Sequence, residues 1–511
     1  MKKTVFICLI AGGLLSNACS DWLDILPKNE QVTADYWKAK EDVEAMIASG
    51  YYYMCATTTY LIDWGELRGS SIFAYNSLEK GKLQNFQLTA SSSLCKWNVF
   101  YQVINMANSV IKYAPDVREI DETYSEAAMR SHQAEAYFMR ALMYFYLVRN
   151  FKETPLVLEP YVDDSAPYKI AKVSEEQIIA RIKADIKTAL DSGAAKEFYG
   201  DDEWNGANKG RITQWALYAL MADVCLWSED YDNCIVYADY LINATASWRP
   251  VFMLVPEQWF TIFYPGNSNE SIFEFNWDAA TYGTTSGSPS NYFTVAASGE
   301  YQYSPAMIER LEAETQEVIL EGRKQVRTLW GAYVVPAEGS DARCIWKYQG
   351  QGIDMLTATR TSKDANYIIY RMADVMLMKA EALIWKGTDS WPEALNIINQ
   401  IRNRSYLNNL DISLDETDEQ GLLEVLLNER DIELAAEGKR WYDLLRFGKS
   451  KNYKYKSIFI EMIVENNSSV NDSWIRSTLK NDYAWYLPVS QDEIEVNDLL
   501  EQNPYYQVTN K

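Results

Sequence analysis

Residues 134–148 read AEAYFMRALMYFYLV, and the order of their apolar and polar side chains predicts a helix. Apolar residues recur at the spacing that brings side chains onto one helical face, and this stripe consists of Ala134, Tyr137, Phe138, Ala141, Leu142, Phe145 and Val148. Pro155 and Pro160 follow, and they end the helix because a proline removes a backbone hydrogen bond and clashes with the preceding turn.

Further stretches with the same period group into pairs of helices. In each pair a helix rich in small residues is followed by a short polar turn, and a second helix then begins near a Tyr or a Pro. This plan is similar to the tetratricopeptide hairpin of about 34 residues, in which small side chains let two helices approach closely. The pairs lie far apart in the sequence, so the pattern favours a helical scaffold with long insertions over a regular solenoid. The predicted helices cover 215–226, 235–242, 372–383 and 394–401.

Two long stretches, 57–97 and 278–305, lack a helical period over their whole length. Both contain many Ser, Thr and aromatic residues, and the second is also rich in Gly. Loops of this length on a helical body usually carry function. The alternative is that they form an irregular covering of the scaffold.

The first 18 residues predict an export signal. Lys2 and Lys3 precede an apolar run, 5–15, of about half the ~20 residues that span a bilayer. The small residues 16–18 then lead to Cys19, as in a bacterial lipoprotein signal whose cysteine becomes the lipid-bearing first residue. An ordinary cleaved signal with an incidental cysteine is the alternative. Several acyl chains anchor a protein stably without a spanning helix.

Composition limits the kinds of site that the chain can hold. A net charge of −23 disfavours nucleic acid as a partner. The only histidine is His132, so a Ser-His-Asp site, a Cys-His site or a His-ligated metal would have to use it. Its position at the opening of a helix favours ordinary packing contacts instead.

The cysteines do not form a recognisable framework. Cys8 leaves with the signal, and Cys19 receives the lipid. The other five have irregular spacing and no CxxC pair, which argues against a disulfide scaffold and against zinc. Buried thiols are expected, with one bridge left open, among Cys55, Cys95, Cys225, Cys234 and Cys344.

Several short motifs then follow one another in a definite order. They are CSDWLDILPKNE at 19–30, DYWKAKEDVEA at 35–45, the helix at 134–148, PLV at 155–157, GRIT at 210–213, YRMADVMLMKAEA at 370–382, INQIRNR at 398–404, ERDIELAAEGKRWYDLLRFGK at 429–449, YLPVSQDEI at 486–494 and QNPYY at 502–506. In this order they resemble the SusD/RagB family of outer-membrane nutrient-binding lipoproteins, over nearly the whole chain.

The resemblance implies a mostly α fold, in which tetratricopeptide-like helix pairs form a scaffold that packs against an irregular, loop-rich ligand-binding half. After the signal peptide, 1–18, it implies one body, 19–511. The scaffold would cover about 35–56, 98–260 and 366–450, and the ligand-binding insertions about 57–97 and 261–365.

The resemblance also implies a function without catalysis. Proteins of this family capture oligosaccharides or polysaccharides at the cell surface and deliver them to a SusC-like TonB-dependent transporter. The chain would be anchored in the outer membrane by lipid on Cys19 and face the cell exterior, with the acidic stretch after Cys19 as the export signal. No cofactor is implied. Whether a structural calcium ion is bound is left open, and no residues are assigned to bind one. Arg440, Trp441 and Asp443 are expected to make buried structural contacts.

The resemblance transfers no sugar-binding residue, so candidates follow from chemistry. A pyranose has an apolar C–H face that packs on Trp or Tyr rings, and polar side chains at the ring edge satisfy its hydroxyls. The net charge favours neutral glycans. Trp215, Trp227 and Trp441 lie on helical motifs and are assigned to the core. Aromatic residues in the insertions with polar neighbours are the predicted ligand-binding residues, namely Trp64, Tyr75, Trp277, Tyr282, Tyr292, Trp330 and Trp346.

Two other functions compete with glycan binding. A surface glycoside hydrolase would need two carboxylates flanking the scissile bond, and 71 acidic residues allow such a pair although no motif identifies one. A tetratricopeptide adaptor would bind a peptide in its helical grooves. The lipoprotein signal and the aromatic insertions argue against the adaptor.

Overall fold

A computed structural model describes residues 36–75, 77–162, 168–200, 209–277, 287–318, 325–353, 358–467 and 471–507. The predicted N-terminal signal and Cys19 lie outside these residues. The helices are α1 Lys40–Ala56, α2 Thr58–Glu66, α3 Leu78–Gln84, α4 Asn98–Ile120, α5 Glu126–Phe151, α6 Glu175–Asp191, α7 Gln214–Trp227, α8 Tyr231–Ile242, α9 Pro289–Tyr292, α10 Pro305–Val318, α11 Met372–Lys386, α12 Trp391–Arg404, α13 Glu419–Glu433, α14 Arg440–Tyr453, α15 Lys456–Asn466, α16 Asp472–Leu479, α17 Gln491–Val496 and α18 Pro504–Gln507. The mostly helical prediction is confirmed.

Antiparallel helix pairs build the scaffold, as the sequence predicts. Helices α7 and α8 pack against each other, as do α11 and α12, and α8 also packs against α11. Helices α4, α5 and α6 form a neighbouring layer. The chain stays helical beyond residue 450, where α15 packs on α14. Among the described residues, none of the helices combines the length and the hydropathy that a bilayer crossing requires.

Helix α5, which contains the stretch 134–148, is buried on more than one face. The Ser125 hydroxyl caps its start by accepting from the Ala128 backbone N–H at 3.2 Å. From residue 134 almost every side chain is buried. Arg140 is one of them, and its guanidinium donates to both oxygens of Asp185 at 2.8 Å. The helix therefore occupies the centre of the scaffold, where a buried guanidinium is tolerated because a carboxylate pairs with it.

The tryptophans assigned to the helical core are buried, and so are the three residues expected to make structural contacts. The Arg68 guanidinium lies 4.4 Å from the centre of the Trp441 ring, and Asp443 accepts from Arg430 at 2.8 Å. His132 is buried on α5 with its ring nitrogen 2.9 Å from the Tyr124 hydroxyl, which is the packing role expected for it. The described cysteines are all buried free thiols, Cys55, Cys95, Cys225, Cys234 and Cys344.

The strands are short and antiparallel, and one pairing between them joins the two insertions. The strands are β1 Ile72–Ala74, β2 Thr154–Pro155, β3 Lys172–Val173, β4 Ser271–Phe275, β5 Tyr301–Tyr303, β6 Tyr333–Val334, β7 Cys344–Ile345 and β8 Tyr367–Arg371. One sheet has the order β1-β5-β7-β6, while β2 pairs with β3 and β4 with β8. Strand β1 lies in the first insertion and β5 in the second. The first insertion is also more regular than expected, since it contains α2, β1 and α3. The sequence did not reveal these elements because each is too short to produce a period over the whole stretch.

A buried ion cluster connects the β4–β8 strand pair to the helical scaffold. Arg371 ends β8, and its Nη1 lies 2.9 Å from a Glu270 oxygen and 2.7 Å from a Glu433 oxygen. Its Nε lies 2.7 Å from Glu437, and Arg404 pairs with Glu270 and Glu433 as well. Burial by itself would raise the pKa of Glu433, but the surrounding guanidinium groups hold it well below its usual range. These five side chains join the ends of α12 and α13 to the β4–β8 pair.

A close backbone contact fixes α2 against the start of α14. Gly438 has φ +72°, and a Cβ there would lie 2.2 Å from the Tyr367 hydroxyl. A Cβ on Gly65 would in turn lie 2.2 Å from the Gly438 carbonyl oxygen. Only glycines fit both positions.

Gly438→Ala is expected to lower the free energy of unfolding by about 2–3 kcal/mol, because it adds steric overlap to a left-handed backbone conformation. Gly81→Ala is the matched control. Gly81 lies in α3, and apart from its chain neighbours and the backbone of its own helix no atom of the described residues lies within 4 Å of the position that a Cβ would take, so this change is expected to raise stability by about 0.5–1 kcal/mol. Urea unfolding of both variants measures the effects, and equal stability of the two would contradict the argument.

Candidate functional site

Three of the predicted ligand-binding rings are buried in the core. Trp64 lies on α2, where its ring stacks on Phe100 at 5.0 Å and is fully buried. Trp346 is 2% exposed, and its Nε1 donates to the Gly352 carbonyl oxygen at 2.7 Å. Trp277 is 7% exposed. The expectation that these three rings are exposed is wrong, because neighbouring parts of the chain pack against them.

The remaining predicted rings differ in position. Tyr282 lies outside the described residues. Tyr75 is 41% exposed, whereas Tyr292 and Trp330 are half-buried. Trp330 precedes β6 and packs edge-on against the buried Trp346, so it lies at the other edge of the sheet from Tyr75, which follows β1.

The structure brings Tyr75 and Tyr292 into one neighbourhood through the pairing of β1 with β5. The Tyr75 backbone N–H donates to the Glu300 carbonyl oxygen at 2.5 Å, which extends the pairing by one residue on each strand. Tyr292 ends the short helix α9, and its hydroxyl accepts from the Thr59 hydroxyl on α2 at 2.6 Å. The backbone of Tyr75 and the hydroxyl of Tyr292 are therefore each held by a residue of the other insertion.

Lys80 on α3 lies between Glu300 and Tyr292. Its Nζ lies 3.1 Å from the Glu300 carboxylate and 6.0 Å from the centre of the Tyr292 ring. It also donates to the Tyr301 hydroxyl at 2.6 Å. We define the tyrosine platform as Tyr292, Lys80 and Glu300 together with Tyr75, whose backbone is bonded to that of Glu300.

Asp63 lies beneath the tyrosine platform and is fully buried. Its Oδ1 accepts from the Tyr301 hydroxyl at 2.5 Å and lies 3.9 Å from the Lys80 ammonium. Within the described part of the chain, its Oδ2 has no hydrogen-bond partner. Burial raises the pKa of Asp63 to about 6, although Lys80 and Tyr301 act in the opposite direction. The carboxylate thus orients Tyr301 and Lys80 from below.

The raised pKa of Asp63 predicts a pH-dependent contribution to stability. Because the folded protein holds this proton more tightly than the unfolded chain, the contribution is fully present below about pH 4 and is lost as the pH rises through about 6. As the pH rises through this window, the free energy of unfolding of the wild type should therefore fall relative to that of Asp63→Asn, by up to about 1.4 kcal/mol per pH unit. Urea unfolding at several pH values between about 4 and 7 measures it, and parallel profiles for the two proteins would refute the assignment.

The platform has the parts that a surface sugar site requires. Two tyrosine rings provide apolar faces, and the ammonium, carboxylate and hydroxyl groups beside them can bond to hydroxyls. The sequence predicts both rings but gives no indication of Lys80 and Glu300. In the sequence Asp63 is notable only as a polar neighbour of Trp64. The pairing of β1 with β5 brings these residues together, and no pattern of neighbouring residues predicts that pairing.

The scaffold contains a separate cavity of about 490 Å³ between the end of α5, the start of α6 and α14. Its charged groups are largely paired with one another. Glu175 accepts from the Trp227 ring at 2.7 Å and pairs with Lys449, while Lys183 pairs with Asp230 at 2.9 Å. None of the predicted ligand-binding residues lines it, so we assign the candidate site to the tyrosine platform. Across the described ranges, no cluster of His, Cys, Asp and Glu has the arrangement of a metal site.

Two family models match the chain. The model described as "SusD family" matches residues 292–506, and the model described as "Starch-binding associating with outer membrane" matches residues 21–226. Together they include the whole first insertion, part of the second and most of the helical scaffold.

Individual proteins are similar over nearly their full length. SusD-like protein P38 from Formosa agariphila is 26% identical over 495 residues, which cover 87% of this chain and 91% of that protein. A crystal structure of a SusD superfamily protein from Bacteroides thetaiotaomicron has a TM-score of 0.73 at 22% identity, covering 92% of this chain and 99% of the other. A structure described as a laminarin binding SusD-like protein has a TM-score of 0.67 at 20% identity and covers 92% and 100%. At these identities the structural likeness establishes the fold.

Proposed function

Since this chain belongs to the SusD family, we propose that it binds oligosaccharides or polysaccharides at the outer membrane without cleaving them. Carbohydrate binding and outer-membrane association are the properties named in the description of the model that matches its N-terminal part. The observation that carries the proposal for this chain is the tyrosine platform.

The platform suits a sugar because several of its groups are held in place before a ligand arrives. Thr59 fixes the Tyr292 hydroxyl, and the β1–β5 pairing fixes the backbone of Tyr75. Side chains that are already ordered lose less conformational entropy on binding than mobile ones. Stacking on the rings and hydrogen bonds at their edges would then supply affinity and orientation.

The arrangement of carboxylates favours binding over hydrolysis. A glycosidase needs two carboxyl groups that both reach the scissile bond. Of the two acidic side chains around Lys80, Glu300 is partly exposed, whereas Asp63 is fully buried and committed to Tyr301. Binding of this kind requires no cofactor.

Lipid on Cys19 would hold the protein at the outer face of the outer membrane, next to a SusC-like TonB-dependent transporter that receives the glycan. Support comes from the signal sequence and from the family. The test is metabolic labelling with a fatty acid: Cys19→Ala should lose the label and leave the membrane fraction. Equal labelling of wild type and variant would reject lipidation at this residue.

The experiment that tests glycan binding uses the mature protein on native gels cast with single polysaccharides. Retarded migration with a glycan, together with no new reducing ends after long incubation, is the expected result. Release of reducing sugar would favour the hydrolase. Unaltered migration with every glycan would reject the proposal.

A further inference from the structure

We infer that the tyrosine platform selects uncharged glycans and rejects sugars that carry carboxylate or sulfate groups. This inference rests on the proposed glycan binding and concerns the same surface. It follows from the contacts that the ammonium group of Lys80, the one ammonium group of the platform, makes within the protein.

Lys80 is already engaged by groups of the protein. Its Nζ pairs with Glu300 at 3.1 Å, donates to Tyr301 at 2.6 Å and lies 3.9 Å from Asp63. Its side chain is only 14% exposed. One of its N–H donors bonds to Tyr301, and its positive charge faces the carboxylates of Glu300 and Asp63, so an anionic ligand would compete with both for the ammonium group.

The local charge balance is negative. Asp63 is mostly ionised at neutral pH, because its pKa is raised only to about 6. One ammonium group therefore stands against two carboxylates. The next charged pair along α3, Lys82 with Glu79 at 2.6 Å, cancels itself.

An acidic sugar placed on the rings would have its charge close to Glu300, while the ammonium group of the platform is already paired. Like charges brought together at an interface are a strong device against wrong partners. A neutral sugar meets the same carboxylate as a hydrogen-bond acceptor for its hydroxyls, so Glu300 favours one ligand class and disfavours the other.

The overall charge of −23 acts in the same direction but at longer range. Salt distinguishes the two effects, because the Debye length at about 0.15 M ionic strength is about 8 Å and the distant charges are then screened. Discrimination that comes from Glu300 should persist at this salt concentration.

The test uses chemically matched polymers. Neutral α-glucan, β-glucan, mannan and galactan are each compared with the same polymer oxidised at C6 to the uronate, and with the methyl ester of that uronate. Affinities are measured by calorimetry at about 0.15 M salt. We expect at least one neutral polymer to bind, its uronate to bind at least about tenfold more weakly, and the neutral ester to recover most of the loss.

Two variants locate the source of the discrimination. Glu300→Gln should lower the ratio of neutral to uronate affinity severalfold. Glu461→Gln removes the same charge from α15, where Glu461 pairs with Arg476 at 2.8 Å, and should leave the ratio unchanged. An equal drop in both variants would overturn the role of Glu300.

The outcomes separate this inference from the proposed function. A uronate that binds as tightly as its neutral parent overturns the inference and leaves glycan binding intact. Failure of every polymer to bind, neutral or oxidised, overturns both.

Discussion

Arg371→Leu is expected to destabilise the protein by about 3–5 kcal/mol. The leucine removes the cation from between three buried carboxylates, those of Glu270, Glu433 and Glu437. Arg404 still faces two of them and Lys347 still pairs with Glu437 at 3.0 Å, but Glu437 loses both of its bonds to Arg371. Each carboxylate keeps at least one cation, but the loss of Arg371 weakens their compensation in a dry interior, where the attraction between opposite charges is far stronger than in water.

The matched control is Arg476→Leu, which breaks an ion pair of similar geometry on the surface. Arg476 and Glu461 are 41% and 47% exposed, so water and salt take over their solvation when the pair is broken. We expect a change within about 1 kcal/mol. Urea unfolding and thermal midpoints of the two variants measure the contrast. Comparable losses would show that the buried ion cluster is not a main contributor to stability.

Replacing both platform tyrosines is expected to reduce glycan affinity by about 100-fold. Covering one ring face of about 50 Å² at about 25 cal/mol per Å² is worth about 1.3 kcal/mol, or about tenfold in affinity. Tyr75→Ala and Tyr292→Ala should each lower affinity by about this factor, and the double variant by roughly their product. Native gels and calorimetry with the bound polysaccharide measure it.

Tyr240→Ala provides the control for this prediction. Tyr240 lies on α8 in the helical scaffold and is 51% exposed, comparable with the 41% of Tyr75. It should leave affinity within about twofold of wild type, because a ring outside the platform covers no sugar face. If Tyr240→Ala weakened binding as much as the platform variants, or if the double variant bound normally, the platform would not be the site.

The helical scaffold was predictable because its signal is local. The stripe from Ala134 to Val148 repeats at the helical period, and Pro155 marks where α5 has already ended. The same holds for α7, α8, α11 and α12, whose pairing follows from short turns and small side chains. The first insertion was harder to predict, since α2, β1 and α3 are too short for periodicity to show.

Within the candidate site the sequence identified two rings and the structure supplied their partners. Trp64 and Tyr75 look alike in the sequence, each an aromatic residue in the first insertion. Trp64 lies on α2 with its ring covered by Phe100, whereas Tyr75 follows the edge strand β1. No local feature of the sequence distinguishes a covered ring from an open one.

The motifs and the period of apolar residues by themselves indicated the family resemblance, the helical class and an expected export signal, because each motif and each period is formed by residues near one another in the chain. Only the tertiary structure decided which rings keep an open face and that Lys80 and Tyr301, 221 residues apart, share a hydrogen bond. Exposure and charge balance depend on what packs over a side chain, and here that packing comes from strands and helices distant in the sequence.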